Sequence, residues 1–155
     1  MKILILEISG SKGFCMQQTL EKSGHDVFVA CDIKEAEKIR KDNEIDCIIS
    51  CTNMYLHGLK DDEEKKQAYY GLLAGLVLPQ NYVFMDNPAM IMRTIMFTKY
   101  LSMDVVAEAL KQDSLEKLTV IPKPFPFNEG SLRKCGLLAQ VKRISKLQEP
   151  AMRFR

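Results

Sequence analysis

The chain has 155 residues, of which 46% are hydrophobic and 27% are charged, and its formal net charge is +2. These proportions are those of one ordinary globular domain and exclude a disordered chain. With both signs of charge interspersed, the sequence offers no basic surface for nucleic acid or an anionic membrane. The longest apolar stretches carry charges, so no segment is expected to cross a bilayer.

Hydrophobic patterning predicts strands that alternate with helices along the whole chain. The predicted strands are apolar on both faces, which is typical of a parallel sheet that is covered on both sides. In chain order we predict a strand at 3–6, a helix at 14–23, a strand at 27–31, a helix at 34–41, a strand at 47–51, a helix at 60–76, a strand at 82–85, a long helical stretch at 88–111, a strand at 118–121 and a helix at 132–147.

The cysteines and histidines give no sign of a metal site or of catalysis. The five cysteines are odd in number, lie mostly inside apolar runs and lack metal-ligand spacing, so we interpret them as reduced core residues of a cytoplasmic protein. The two histidines, His25 and His57, fall in a turn and a loop, away from any nucleophile motif. We therefore predict neither a cofactor nor an enzyme.

A Lys-Pro-Phe motif lies at the carboxyl end of the fifth predicted strand, where binding sites of α/β proteins are commonly found. Lys123 follows the fifth predicted strand and is the first residue of a Lys-Pro-Phe unit. Proline locks its own φ and restricts the residue before it, so the lysine side chain has a defined direction. The carboxyl ends of parallel strands are where α/β proteins bind anions.

Over roughly residues 2–147 the chain resembles a response-regulator receiver domain. The segments 24–27, 36–39 and 45–54 have the order and spacing of that family's second strand, second helix and third strand, and Lys123-Pro124-Phe125 matches its fifth-strand motif. The resemblance implies an α/β, flavodoxin-like (CheY-like) fold with a five-stranded parallel sheet, strand order 2-1-3-4-5, and helices on both faces. Residues 1–147 would form this domain, and 148–155 a basic tail.

The residues that the family uses for phosphorylation are changed here. By resemblance, the phospho-acceptor aspartate corresponds to Cys51, or to Ser50 in the alternative register. The acidic pair after the first strand corresponds to Glu7 and Ile8. A thiol or hydroxyl is not the hard anionic ligand that Mg²⁺ prefers. The resemblance therefore implies a degenerate receiver without phosphoryl transfer, which acts as a signalling module through protein contacts.

The lysine of the family's site is retained although its usual partner is absent. The resemblance places Asp86 where receivers carry a hydroxyl residue at the end of the fourth strand, and a carboxylate there would repel a phosphate. Lys123 would then need a new partner, and we expect a salt bridge to Glu7 or Asp86. Such a bridge would act as a permanently fixed switch.

A partner surface is predicted from the methionine-rich stretch after residue 88. Its large apolar side chains occupy more angles of a helical wheel than one buried stripe can hold. In receivers the fourth helix, fifth strand and fifth helix form the dimerisation and output face. We therefore expect a protein partner or a second copy of the chain to bind through Met90, Met92, Met96, Tyr100 and Phe125.

Two alternative functions remain open from the sequence. Gly10 and Gly13 with Asp32 after the second strand resemble the start of a Rossmann nucleotide-binding unit, although Met16 replaces its third glycine. Asp32 could equally be a helix N-cap. A thiol-based redox sensor is the other alternative, because a lysine close to Cys51 could lower its pKa.

Overall fold

The computed structural model describes residues 1–51, 88–98 and 119–147, and these parts of the chain form one α/β domain. Five parallel strands make a single sheet in the order β2-β1-β3-β4-β5. This is the flavodoxin-like order, so the predicted fold class is confirmed. The strands are β1 (Lys2–Leu6), β2 (Asp26–Ala30), β3 (Cys47–Ser50), β4 (Thr94–Thr98) and β5 (Thr119–Pro122).

Helices connect and cover these strands. They are α1 (Gly10–Glu21), α2 (Ile33–Asp42), a 3₁₀ helix (Pro88–Arg93), α3 (Glu129–Lys134) and α4 (Leu137–Ser145). None of the helices within the described parts of the chain has the length and hydropathy that crossing a membrane requires. The helix predicted at 132–147 is interrupted, because Gly136 adopts a φ of +94°, a left-handed conformation that glycine tolerates.

The interior strands are apolar because helices cover both of their faces. In β1 and β3, residues 3–6 and 47–50 are all buried. One face packs against α1, α3 and α4 in a core cluster that includes Ile3, Ile5, Met16, Leu20, Ile49, Phe97, Leu132 and Val141. Leu4 and Ile48 point to the opposite face and are equally inaccessible. The register pairs Leu6 of β1 with Ser50 of β3, so both strands end at the same edge.

Helix α1 approaches β2 closely because it carries a glycine at the contact. A Cβ at Gly13 would lie 2.9 Å from Cγ1 of Val29. The helix begins with Ser9 as its N-cap, whose hydroxyl accepts a hydrogen bond from the Lys12 N–H. Helix α2 begins in the same way at Asp32, whose carboxylate accepts from the Glu35 N–H at 2.7 Å.

The fourth strand lies later in the chain than the sequence pattern indicated. The predicted strand at 82–85 falls outside the described residues, and β4 occupies Thr94–Thr98, within the stretch predicted as helix at 88–111. The helix prediction is therefore wrong at 94–98. These residues are mainly β-branched and aromatic, and pairing with both β3 and β5 stabilises them as a strand.

Candidate functional site

Three side chains from different strand ends meet at the carboxyl edge of the sheet. Glu7 follows β1, Cys51 follows β3 and Lys123 follows β5. Parallel strands bring such residues to one edge. Lys123 Nζ lies 2.7 Å from Glu7 Oε2, and only 12% of the lysine side chain and 1% of the glutamate side chain are exposed. The predicted salt bridge between Lys123 and Glu7 is present in the structure.

Both oxygens of the Glu7 carboxylate have hydrogen-bond donors. Oε2 accepts from Lys123, and Oε1 accepts from the Ser9 N–H at 3.1 Å. Ser9 is the N-cap of α1, so the carboxylate also lies at the positive end of that helix. A buried charge is tolerated when it is paired and hydrogen-bonded in this way.

The strand register distinguishes between the two residues proposed for the acceptor position. Side chains alternate between the faces of a strand, so Cys51 shares the face of Ile49, and Ser50 points to the other face. Cys51 is fully buried and its thiol contacts both Glu7 and Lys123. Of the two residues, Cys51 is the one that faces the ion pair.

The surroundings of Cys51 make its thiol less acidic. Burial raises the pKa of Cys51 well above its ordinary value, the Glu7 carboxylate raises it further, and the Lys123 charge only partly opposes them. Lys123 does act to lower the pKa of Cys51, as expected, but burial and Glu7 outweigh it and the net shift is upward. At neutral pH Cys51 is a buried, protonated thiol, which disfavours a redox sensor because the thiolate is the reactive form.

Lys123 stays protonated in the same surroundings. Burial lowers its pKa, but Cys51 and the hydrogen-bonded Glu7 carboxylate outweigh burial, and the net shift is upward. The ion pair therefore persists at neutral pH. A charge-assisted hydrogen bond of 2.7 Å in a partly buried position is among the stronger contacts that side chains form.

The edge does not fit a magnesium ion of the kind that receivers bind. Ile8 has no ligand atom, Cys51 presents a neutral thiol, and the remaining carboxylate, Glu7, is bound to Lys123. In the described parts of the chain, no group of three or more His, Cys, Asp or Glu side chains could hold a metal. Mg²⁺ prefers hard oxygen ligands, and of Glu7, Ile8 and Cys51 only Glu7 carries them.

The fourth strand ends with a hydroxyl residue, Thr98, as the fourth strand of receivers does. β4 ends at Thr98, which pairs with Pro122, the residue before Lys123. Asp86, which the resemblance places at this position, lies outside the described residues, so its role remains a prediction. The sequence signal was available in the β-branched and aromatic run at 94–98, which the helical interpretation passed over.

Two of the residues that were predicted to form the interaction face are buried. Met90 has no exposed surface and Met96, in β4, is 1% exposed, so neither is available to a partner and the prediction is wrong for both. Met92 is 37% exposed and Phe125 is fully exposed. Tyr100 lies outside the described residues. Met90 in the 3₁₀ helix and Met96 in β4 both serve as core residues, a common use of methionine.

The residues that resembled a nucleotide-binding unit have structural roles. Gly13 provides space for Val29 rather than for a phosphate, and Asp32 caps α2. The start of α1 already holds the Glu7 carboxylate through the Ser9 N–H, and this charge would repel a pyrophosphate. These observations disfavour the nucleotide-binding alternative.

Comparisons with known proteins agree with the sheet order. The chain matches no family model and no curated protein at a significant level. Among solved structures, the chemotaxis protein CheY4 of Vibrio cholerae has a TM-score of 0.62 at 23% identity, and the match covers 90% of this chain and 97% of that one. The non-phosphorylated HemR receiver domain of Leptospira biflexa has a TM-score of 0.62 at 17% identity, covering 96% and 97%.

A third solved structure is similar to the same extent. A CheY-like receiver domain protein from Methanospirillum hungatei has a TM-score of 0.61 at 19% identity, and the match covers 94% of this chain and 96% of that one. At these identities the similarity establishes the fold. This chain has the fold of CheY-like receiver domains.

Proposed function

We propose that this protein is a degenerate receiver that signals through protein contacts and does not transfer a phosphoryl group. One observation carries the proposal: the Lys123 ammonium is bound to the buried carboxylate of Glu7, beside a thiol, Cys51, at the end of β3. In receivers the corresponding lysine contacts an aspartate that accepts the phosphoryl group. Here the lysine already has a permanent anionic partner.

The ion pair supports a fixed state of the switch. Removing one partner of a buried ion pair typically costs 3–5 kcal/mol, roughly the cost of leaving an uncompensated charge. An incoming anion would have to displace Glu7 from Lys123, and the free energy of the unpaired Glu7 carboxylate would then oppose binding of the anion. The edge is therefore organised around a contact that does not depend on phosphorylation.

Treatment with acetyl phosphate and Mg²⁺, followed by intact-mass spectrometry, tests the proposal. We expect no phosphoryl adduct on an aspartate, with a phosphorylatable receiver treated in parallel as the positive control. Beryllofluoride with Mg²⁺ should likewise leave the melting temperature unchanged. A hydroxylamine-labile adduct on any aspartate of the unmodified protein would overturn the proposal.

A gain-of-function variant tests whether the residues at positions 8 and 51 are the reason why the proposed site does not bind Mg²⁺ and a phosphoryl group. Ile8→Asp with Cys51→Asp places carboxylates at the two changed positions, next to Glu7 and Lys123. We expect this double variant to gain a Mg²⁺-dependent rise in melting temperature with beryllofluoride, because a ligand that binds only the folded state stabilises it. The matched control, Ile8→Asn with Cys51→Asn, has the same shape without the charges and should gain nothing. Equal behaviour of the two variants would contradict the assignment of the site.

Exposed aromatic residues support a role in protein contacts. Phe125 is fully exposed in the loop after Lys123, and Phe14 on α1 is 58% exposed. Aromatic side chains are enriched at protein interfaces. We propose that a protein partner or a second copy contacts the loop around Phe125. Sedimentation velocity and partner capture with Phe125→Ser test this, and unchanged association by the variant would exclude Phe125 from the interface.

A further inference from the structure

A groove runs between α4 and the turn that joins α1 to β2. Its volume is about 340 Å³, and it is lined by Ser23, His25, Leu138, Val141, Lys142 and Ser145. Small-molecule sites commonly have volumes of roughly 300–1,000 Å³. The groove lies beside the start of β2, at the amino edge of the sheet, and Glu7 and Lys123 lie at the carboxyl edge. It is therefore separate from the site described above.

One face of α4 forms the floor and one rim of the groove. Leu138, Val141, Lys142 and Ser145 follow the spacing of a single helix face. Val141 is 1% exposed and Leu138 is half-buried, so they form an apolar floor, whereas Lys142 and Ser145 are exposed at the rim. The opposite wall comes from the turn at 23–25, which Gly24 permits with a φ of +90°.

Two donors point to an anionic ligand group. Lys142 carries a positive charge, and no carboxylate within residues 1–51, 88–98 and 119–147 forms an ion pair with it. His25 Nδ1 lies 3.4 Å from the Met1 ammonium, and in the tautomer that accepts from this ammonium the ring offers its Nε2–H to a ligand. Burial and then the Met1 charge lower the pKa of His25, so the ring is a neutral donor at pH 7.

The two serines provide acceptors. Ser23 Oγ donates its proton to the Thr19 carbonyl at 3.4 Å, and Ser145 Oγ donates to the Lys142 carbonyl at 2.7 Å. A hydroxyl whose proton is engaged can still accept through its oxygen. A matching ligand therefore needs an anionic end, an apolar body and a hydrogen-bond donor at the other end.

We propose that this groove binds a small organic carboxylate with an apolar body and a hydroxyl or amino donor. At about 30 Å³ for each water-sized group, the groove has room for roughly ten non-hydrogen atoms. The carboxylate pairs with Lys142 and His25, the body packs on Leu138 and Val141, and the donor reaches a serine. A metabolite of this class would give a phosphorylation-independent module a chemical input.

NMR titration of the full chain with 4-hydroxybenzoate tests the proposal, with 4-hydroxybenzamide as the neutral probe of the same shape. We expect saturable shifts at His25 and along α4, with a dissociation constant on the order of 1 mM or lower for so small a ligand. The amide should bind about fivefold more weakly, since it lacks the charge that Lys142 recognises.

Matched variants distinguish binding in the groove from a general effect of positive surface charge on ligand binding. Lys142→Gln should weaken 4-hydroxybenzoate binding about fivefold, and Lys142→Arg should retain it. Lys146→Gln removes an equally exposed lysine of the same segment that does not line the groove, and it should change nothing. Absence of saturation up to about 20 mM, equal affinity for the amide, or an equal effect of Lys146→Gln would overturn the proposal. None of these outcomes bears on the phosphorylation test.

Discussion

Replacing Lys123 with methionine isolates the energetic role of the ion pair. Methionine keeps most of the side-chain volume, so Lys123→Met removes the charge without opening a large cavity. It leaves the Glu7 carboxylate, which is 1% exposed, with the Ser9 N–H as its hydrogen-bond donor. We expect the variant to be less stable for this reason alone.

The cost of breaking a buried ion pair, about 3–5 kcal/mol, fixes the magnitude of the loss. The lower end of this range applies here, because the Ser9 N–H still stabilises the Glu7 carboxylate after the lysine charge is removed. The expected loss for Lys123→Met is therefore about 3 kcal/mol. With a urea m-value of about 2 kcal/mol/M, the unfolding midpoint should fall by about 1.5 M.

Urea unfolding at pH 7, followed by circular dichroism, measures this shift. Glu7→Gln and the double variant complete a thermodynamic cycle, and the double variant should be more stable than the sum of the two single losses predicts. An unchanged midpoint for Lys123→Met would refute the reasoning, because it would mean that Glu7 gains nothing from its partner.

Three further predictions concern the fold. Met96→Glu should abolish cooperative unfolding, because it buries a charge in β4, whereas Met96→Leu should cost less than about 1.5 kcal/mol; both are measured by thermal melting. Gly13→Ala should lower the free energy of unfolding by about 1 kcal/mol, because the new methyl group would meet Val29. Gly10→Ala should not lower stability, since nothing lies within 4 Å of its Cβ position, and a destabilised Gly10→Ala would contradict this reasoning. Burial raises the pKa of Cys47 from 9.0 to about 12, so between these values the folded state keeps a proton that the unfolded state loses. Stability should then fall with rising pH by about 1.4 kcal/mol per unit, and this contribution should be missing in Cys47→Ala.

Most strands were predictable because local pattern marks them, whereas the order of the strands in the sheet came from the resemblance to receiver domains. β1, β2, β3 and β5 all lie within about two residues of the apolar runs that predicted them. β4 was missed because its residues also suit a helix: methionine and phenylalanine are apolar in either structure. The β-branched and aromatic residues at 94–98 favour a strand locally, and pairing with β3 and β5 then selects it over a helix.

The candidate site was predictable in its composition but not in its electrostatics. Parallel topology alone brings Glu7, Cys51 and Lys123 to one edge, so their proximity followed from the order of strands. The acidity of Cys51 did not follow, because the sequence does not reveal that the thiol is fully buried beside a carboxylate. Desolvation and the Glu7 charge then outweigh the lysine, which reverses the expected direction of the pKa shift.

The ion pair also gives Lys123 a structural role that requires no phosphoryl group. Glu7 lies at the positive end of α1, where the Ser9 N–H holds one of its oxygens, so the carboxylate is fixed in position. A fixed, buried carboxylate needs a counter-charge, and β5 ends where only Lys123 can supply it among the described residues. Neither residue can then change alone without exposing the other to the cost of an unpaired buried charge. The stability of the fold is thus a reason for Lys123 to be present that does not depend on phosphorylation.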